Sequence, residues 1–435
     1  MKTVGILSTA SLGGSGAYQG SKAYAWTAFA LTFGLMFSDY LSRQAMGSVF
    51  PFLKLAWGVS DSQLGALVSI VSLVVGVMTI PLSLIADRWG RVKSITLMAF
   101  VWCFATIACG LARNYSEMLA ARALVGFGEA AYAAAGAALL AHTFPSDKRS
   151  AVLGAFQSGG IFGSVLGVII GGAVAGQFGW RCAFFAVGAP GLLLAVLYPF
   201  FVHDYTAPAL HEADKHRDSG FVKLRFAQIV KEIFAARSGN FTYLAFGLQM
   251  GIPAILIAWM PTFFNRFYAY GPRKAALMAA AVVLSVGIGM LFGGWAADRL
   301  SRGRPRNRAL VPAAYALISC VMLGAAFILP PGTLGLCLFM GGALCAAAHG
   351  GSALAMLIDV THPAVHATVT ATAVLGASLL GLAPGPYLVG LLSDVTNLKT
   401  ALMTAPLISL LAALMFLLAA RYYESDMTKR RSDTR

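Results

Sequence analysis

Four charged residues lie within or at the end of long apolar runs, and they are the strongest candidates for chemistry in this sequence. Asp39 and Arg43 follow the run AWTAFALTFGLMF, and Arg122 and Glu129 lie within another apolar run. An isolated charge in hydrocarbon costs about 3 kcal/mol on insertion scales, so such residues normally pair or face water. Asp39 and Arg43 have i, i+4 spacing, and Arg122 and Glu129 are two helical turns apart, so each pair shares one helix face.

A buried carboxyl group beside an arginine is suited to taking up and releasing protons. Burial favours the protonated form of a carboxyl and a nearby positive charge favours the ionised form, whereas arginine stays charged. We therefore predict that Asp39 and Glu129 carry protons and that Arg122 is their counter-ion. The alternative is that these pairs only fix helix register. For Arg43, the alternative is a side chain that extends to the membrane surface.

Composition identifies the class of protein. The chain has 435 residues, of which 58% are hydrophobic and 11% charged, and its mean hydropathy is +0.74. A soluble domain averages about 25% charged residues, so we predict an integral membrane protein. The net charge of +15 does not indicate nucleic-acid binding, because the charges lie in short loops between apolar runs. The six cysteines lack metal-ligand spacing, and we expect neither a metal site nor a cofactor.

The apolar runs are long enough for twelve membrane-spanning helices, each of which needs about 20 residues. Most of the 32 Lys and Arg residues fall in loops on one side of these spans, which predicts that both termini are cytoplasmic. The predicted spans are 24–46, 63–85, 94–112, 116–142, 150–174, 180–203, 240–264, 275–297, 309–329, 333–358, 366–392 and 400–420.

A charged segment divides the chain into two halves of six spans each. We predict a cytoplasmic tail over 1–23, an N-terminal bundle over 24–203, a linker over 204–239, a C-terminal bundle over 240–422 and a basic tail over 423–435. Within the linker, FVKLRFAQIVKEIF places its apolar residues near one helical face, which predicts an amphipathic helix on the cytoplasmic surface. The alternative is a solvated linker.

One loop motif occurs in both halves, as SLIADRWGRVK at 83–93 and GWAADRLSRGR at 294–304. Repeats of this kind are typical of secondary transporters, in which two bundles move around a central site. We predict that these loops form a cytoplasmic gate, bonded across the halves in the outward-facing state. The alternative is that their basic residues only anchor the loops on the cytoplasmic side. The predicted gate residues are Asp87, Arg88, Arg91, Asp298 and Arg299.

The repeated Asp-Arg loop resembles the signature of the major facilitator superfamily. Three further stretches, RALVGFGEAAY at 122–132, FGWRCAFF at 178–185 and GPYLVG at 385–390, resemble its Spinster-like branch. The resemblance implies an all-α membrane protein with twelve helices in two pseudo-symmetric six-helix bundles. The chain departs from the branch in span 11, where the branch often carries an acid and this sequence has Leu382 in LLGLAPGP.

In the fold that this resemblance implies, spans 1, 4, 7 and 10 line a central cavity. That placement would bring Asp39, Arg43, Arg122 and Glu129 toward one polar pocket. The alternative for His349, in the middle of span 10, is an imidazole satisfied by a neighbouring carbonyl group. The predicted substrate contacts are Arg43, Tyr132, Gln249, Trp259, His349 and Met356.

The sequence carries no motif of a hydrolase, a metalloprotease or an ATPase, so we expect a transporter and not an enzyme. The resemblance implies a proton-coupled secondary transporter of an amphipathic or hydrophobic organic molecule, such as a lysolipid or a drug-like compound. The alternatives are a proton-coupled importer of small organic anions and a non-transporting receptor. The expected partners are a small-molecule or lipid substrate, protons and the lipid bilayer, for a monomer in a bacterial inner membrane, with no nucleic acid.

Overall fold

The computed structural model describes residues 22–203, 231–301, 306–362 and 365–433. Residues 1–21 of the predicted N-terminal tail, residues 221–230 of the predicted amphipathic helix and the side chains of Asp87 and Arg88 lie outside the described residues. The first half contains the helices α1 (Lys22–Trp57), α2 (Asp61–Trp89), α3 (Arg91–Leu111), α4 (Tyr115–Glu129), α5 (Tyr132–Thr143), α6 (Ser146–Phe178) and α7 (Trp180–Phe201). The second half contains α8 (Arg237–Phe267), α9 (Pro272–Leu300), α10 (Asn307–Ile328), α11 (Thr333–Ala347), α12 (Gly350–Asp359), α13 (His366–Ala377), α14 (Pro384–Val395), α15 (Leu398–Thr404) and α16 (Pro406–Asp433).

These helices confirm the predicted fold class. Eleven helical runs among the described residues are long and apolar enough to cross a membrane, and α1 is a further helix of 36 residues. Each predicted span overlaps one helix or one pair of consecutive helices. The protein is therefore an all-α, multi-pass integral membrane protein, because only helices with internally satisfied backbone groups, or closed barrels, are stable in hydrocarbon.

Three of the predicted spans are interrupted near their middle. Span 4 divides into α4 and α5, and span 10 divides into α11 and α12. In span 11 a π-helical segment, Ser378–Leu382, separates α13 from α14, which has Pro384 at its first turn. Interruptions leave backbone carbonyl groups without their helical partners, so they bring polar atoms into the middle of the protein.

Glycines on α6 allow it to lie directly against α1. A Cβ atom built on Gly163 would lie within about 3 Å of the Phe37 backbone, and one built on Gly167 would clash with the Leu41 carbonyl oxygen. Small residues permit this close approach between membrane helices. The contact fixes the part of α1 between Phe37 and Leu41, which carries Asp39.

The two halves contact each other most closely at one end of the molecule, which carries residues 58–60 between α1 and α2. We call it the outer end, because the predicted orientation places it outside the cell. Here α2 packs against α14, and α6 packs against α9. A Cβ on Gly65 of α2 would lie 2.4 Å from the Pro386 oxygen, and a Cβ on Gly172 of α6 would lie 2.4 Å from Ala276 Cβ.

Candidate functional site

Two carboxyl groups and one guanidinium group meet between α1, α2 and α4. Asp39 and Glu129 are buried, with 5% and 6% of their surfaces exposed. Arg43 Nη1 lies 3.5 Å from Glu129 Oε2, and Arg43 Nη2 donates a hydrogen bond of 3.0 Å to Ser72 Oγ. Asp39 interacts electrostatically with both Glu129 and Arg43. Glu129 is in contact with Arg43 through the ion pair and interacts with the Asp39 side chain, so the two carboxyl groups and the guanidinium group form one cluster.

Arg122 bonds to the backbone of α2 and interacts with Glu129 only electrostatically. Its Nε donates a hydrogen bond of 3.0 Å to the Leu67 carbonyl oxygen on α2, and its Nη2 has no hydrogen-bond partner among the described residues. A spacing of seven residues puts Arg122 and Glu129 on one helix face, but about 10.5 Å apart along the axis. Arg43 reaches Glu129 from the neighbouring helix instead. The ion-pair partner of Glu129 in this conformation is therefore Arg43, whereas Arg122 interacts with Glu129 electrostatically without an ion pair, and its counter-ion role stays a prediction.

The interruption of span 4 begins at Glu129. Helix α4 ends at Glu129, and α5 begins at Tyr132. The carbonyl oxygen of Ala130 accepts a hydrogen bond of 2.9 Å from the Thr79 hydroxyl on α2. A carboxylate at a helix C-terminus gains nothing from the helix dipole, which is negative there, so an outside cation is needed to stabilise its charge. Arg43 on α1 supplies that cation.

At the interruption of span 10, the predicted residues His349 and Gln249, the second of which lies on α8, contact the same carbonyl group. His349 lies between α11 and α12, and its Nδ1 is 2.9 Å from the Ala346 oxygen. Gln249 Nε2 donates to the same oxygen at 3.3 Å. The described partner of His349 is thus a neighbouring carbonyl group, as in the alternative stated above. Its Nε2 and the Gln249 Oε1 remain without described partners.

Three other predicted substrate contacts are held in the packing of the helices. The Tyr132 hydroxyl donates to the Thr32 oxygen, and Trp259 Nε1 donates to the Pro386 oxygen at 3.0 Å. Met356 lies in an apolar cluster with residues of α10 and α16. All three are almost completely buried. These side chains have almost no exposed surface in this conformation, and their predicted contact with a substrate stays a prediction.

A cavity of about 280 Å³ lies beside the charged cluster, between α1 and α6 of the first half and α8 and α9 of the second. Tyr40, which interacts electrostatically with Arg43, lines it. The first half contributes polar groups from Tyr40, Gln44, Gln157 and Ser164, whereas the second half contributes only apolar groups. The complete lining is Met36, Tyr40, Gln44, Gln157, Gly160, Ile161, Ser164, Ile257, Val283, Val286, Gly287, Met290 and Leu291.

The polar wall of this cavity was missed by the sequence analysis. Met36, Tyr40 and Gln44 recur every four residues and so form one face of α1. Gln157 and Ser164 are two turns apart on α6, in a run that is mostly apolar residues and glycine. Polar residues that recur at helical spacing within an apolar span were the available signal. These residues carry no charge, so they stand out less in an apolar span than Asp39 and Arg43 do.

The described contacts of Asp298 and Arg299, the gate residues of the second copy, remain within the second half. Asp298 lies 3.6 Å from Arg308, which also forms an ion pair with Asp359. The Arg299 guanidinium lies over the Trp295 ring, 5.5 Å from its centre. A gate that closes only in the outward-facing state need not form cross-half bonds in another state. The predicted role of this loop therefore stays a prediction.

In the first copy of the loop, Arg91 interacts electrostatically with His142 of the same half. Arg91 is the first residue of α3, and Gly90 separates α2 from α3 with φ of 112°. This is a backbone conformation that glycine adopts without strain. The loop therefore turns sharply at the predicted gate.

A comparison with protein families decides the class of this chain. The family model of the Major Facilitator Superfamily matches residues 32–383. The chain belongs to the Major Facilitator Superfamily. It is accordingly a transporter and not an enzyme.

Curated relatives of this facilitator carry substrates of two chemical kinds. A probable L-galactonate transporter of Escherichia coli is 25% identical over 93% of this chain and 91% of its own length. A sphingosine-1-phosphate transporter of Mus musculus is 25% identical over 90% of this chain and 76% of its own length. A probable 4-methylmuconolactone transporter of Cupriavidus pinatubonensis is 28% identical, and the match covers 59% of this chain and 57% of that protein.

Solved structures support the same fold. A bacterial homolog of the human lysosomal transporter Spinster, in an inward-facing and unoccupied conformation, superposes with a TM-score of 0.83. The two chains are 22% identical, and the match covers 94% of this chain and 99% of that structure. The same homolog in an occupied conformation gives a TM-score of 0.79. The facilitator has the fold of these transporters.

Proposed function

We propose that this facilitator is a proton-coupled secondary transporter that moves an amphipathic organic molecule by alternating access. The observation that carries the proposal is the position of the cavity. Its polar wall lies beside the buried group of Asp39, Arg43 and Glu129, and its apolar wall belongs to the other half. A substrate that spans the cavity contacts both halves at once.

Proton coupling follows from the balance of charge in the cluster. Arg43 supplies the positive charge that forms an ion pair with the buried Glu129 and interacts electrostatically with the buried Asp39. Asp39, Glu129 and Arg43 are neutral together when they hold one proton, and the buried Arg122 adds an electrostatic interaction with Glu129 from outside this group. A buried net charge is costly, so proton uptake and release change the stability of the closed cavity. Asp39 and Glu129 are the proton carriers, and Arg43 takes the counter-ion role in this conformation.

The two walls favour a molecule with a polar and an apolar part. The polar part would be placed near Tyr40 and Arg43, and the apolar part against Ile257, Val283 and Met290. The volume is near the lower end of small-molecule sites, which are about 300–1,000 Å³. The name of the Mus musculus relative, a transporter of a phosphorylated single-chain lipid, supports this class of substrate.

A second candidate is a proton-coupled importer of small organic anions. It is supported by the names of the L-galactonate and 4-methylmuconolactone transporters, and by a guanidinium group beside the cavity. An anion that binds Arg43 would compete with Glu129 for the same group. The two candidates differ in what the apolar wall contributes to binding.

Flux in proteoliposomes tests the proposal. Vesicles with an imposed pH gradient are supplied with radiolabelled lysophospholipids, L-galactonate or a muconolactone, and accumulation is measured with and without a protonophore. The proposal expects lysophospholipid accumulation that the protonophore abolishes. Accumulation of the small anions alone supports the second candidate. Flux of any of them that ignores the gradient contradicts proton coupling.

We also propose that both termini are cytoplasmic and that the facilitator works as a monomer in a bacterial inner membrane. The distribution of Lys and Arg supports this orientation. Fusions of alkaline phosphatase and green fluorescent protein to the C-terminus test it, since the first is active only outside and the second fluoresces only inside. An active phosphatase fusion contradicts the orientation.

A further inference from the structure

Five residues from the two halves form a group at the outer end, which we call the outer clasp. Asp61, the first residue of α2, accepts two hydrogen bonds from Arg266 of α8, at 2.8 and 2.9 Å. Lys54 of α1 lies 2.7 Å from Asp61 Oδ1, and the Ser393 hydroxyl of α14 donates to Oδ2 at 2.6 Å. The fifth member, Asp394, follows Ser393 in α14.

Asp394 closes the N-terminus of a helix that belongs to the other half. Its two oxygens accept hydrogen bonds from the backbone N–H groups of Asp61 and Ser62, at 2.7 and 2.9 Å. The first N–H groups of a helix have no partner within it. Ser60 and Gln63 complete a capping box at the same place. Helix α2 therefore draws part of its cap from its own half and part from the second half.

The backbones of α2 and α14 touch at this position. A Cβ atom on Gly390 would lie 2.5 Å from the Asp61 oxygen, and one on Gly65 would lie 2.4 Å from the Pro386 oxygen. Any larger residue at either glycine requires the helices to separate. The clasp therefore forms only when the outer end is fully closed.

The charges of the clasp are arranged so that it can open again. Each half contributes one acid and one base: Asp61 and Lys54, which form an ion pair, come from the first half, and Asp394 and Arg266 come from the second. When the halves separate, Asp61 keeps Lys54 and neither half is left with a net charge. If the halves were instead joined by one acid and one base, their separation would leave each charge without a partner, which is strongly destabilising.

We propose that the outer clasp is the outer gate of this transporter, which holds the outer end closed in this conformation and opens by loss of its cross-half bonds. The inference rests on the proposed alternating-access function. It goes beyond that function by assigning the gate to named residues of which Asp61 is the centre. The prediction for the Asp-Arg loops concerns the opposite end.

The gate is tested by distances between spin labels, which require neither substrate nor a proton gradient. The exposed native cysteines Cys182 and Cys337 are first replaced by serine. Leu55 and Val395, which are 87% and 78% exposed, are then changed to cysteine and labelled. They lie at the outer end in different halves. Absence of proton-driven flux would contradict the proposed function but would not affect the distances between the labels. Failure of the proposed function and failure of the proposed gate are therefore distinguishable.

Two substitutions should move the distances in opposite directions. Asp61→Asn removes the centre of the clasp, and we expect the ratio of long to short outer distances to rise at least about tenfold. Lys54→Met keeps the bond to Arg266 but removes the cation that Asp61 retains on opening. It should therefore lower that ratio and slow transport. The proposal is overturned if the ratio changes in the same direction in both variants or changes in neither.

Matched variants separate the gate from general effects of charge and folding. Glu117→Gln removes an acid at the first turn of α4 whose contacts, to Arg113 and Asn114, stay within its own half. It should leave the distances unchanged, and an equal shift in Glu117→Gln contradicts the gate. If Asp61→Asn does not yield a monodisperse protein, Ser393→Ala takes its place. Ser393→Ala should then raise the ratio of long to short outer distances, whereas Lys54→Met lowers it. The absence of these opposite changes refutes the proposal.

Discussion

Arg43 on α1 forms the ion pair with Glu129, at 3.5 Å, although Arg122 lies on the same helix as that carboxylate. Arg122 donates to the Leu67 backbone instead. Position along a helix therefore matters less here than the approach of two helices. The two arginines have different tasks, which mutations can separate.

Glu129→Gln should remove nearly all proton-driven accumulation and leave the protein folded. Glutamine has the size of glutamate but cannot carry a proton, and the substitution removes a buried charge whose oxygens have no described hydrogen-bond donor. Accumulation under a pH gradient and thermal unfolding measure the two effects. Glu117→Gln is the matched control and should transport normally. Wild-type accumulation by Glu129→Gln would show that the proton is carried elsewhere.

Arg43→Lys and Arg122→Lys should have different consequences. Lysine lacks the planar fork with which Arg43 contacts Glu129 and Ser72 together, so proton uptake on substrate addition should change its pH midpoint. Arg122→Lys loses the bond to Leu67 and should lower the free energy of unfolding by about 1–3 kcal/mol. The pH midpoint of its proton uptake should stay unchanged. A shift of the pH midpoint in Arg122→Lys but not in Arg43→Lys would instead identify Arg122 as the counter-ion.

Gln157→Leu should weaken substrate binding without changing proton coupling. Gln157 contributes a polar group to the cavity wall and does not carry a titratable group. Loss of a hydrogen bond to the substrate should raise KM about fivefold to tenfold. Gln177→Leu, on the same helix but outside the cavity lining, is the control. If both variants raise KM equally, the cavity is not the binding site.

Gly65→Ala should slow transport at least about tenfold, because a Cβ there meets the Pro386 oxygen at 2.4 Å and prevents full closure of the outer end. Gly154→Ala is the matched control, since a Cβ at Gly154 meets no atom within 4 Å. It should transport normally and gain up to about 1 kcal/mol of helix stability. Initial rates in proteoliposomes decide, and equal rates for the two variants would contradict the close approach of α2 and α14.

The sequence by itself determined the class of the protein and the positions of its helices. Apolar runs of about 20 residues have one stable arrangement in a bilayer, so the spans could be assigned from hydropathy alone. Asp39, Arg43, Arg122 and Glu129 were found in the same way, because a charge within such a run is conspicuous. These conclusions depend only on residues that are close in the sequence, and helical periodicity shows which of them share a helix face.

Only the tertiary structure decided which groups meet. The partner of Glu129, the cavity wall at Tyr40 and Gln157, and the bonds of Asp61 to the second half all depend on how each helix is rotated and which helix lies beside it. Local periodicity does not contain that information. His349 and Trp259 illustrate the limit, since both are polar residues in apolar spans, yet each is bound to a backbone carbonyl group within the packing. A buried polar group binds the nearest available partner, and that partner belongs to a distant part of the chain or to an interruption in a helix.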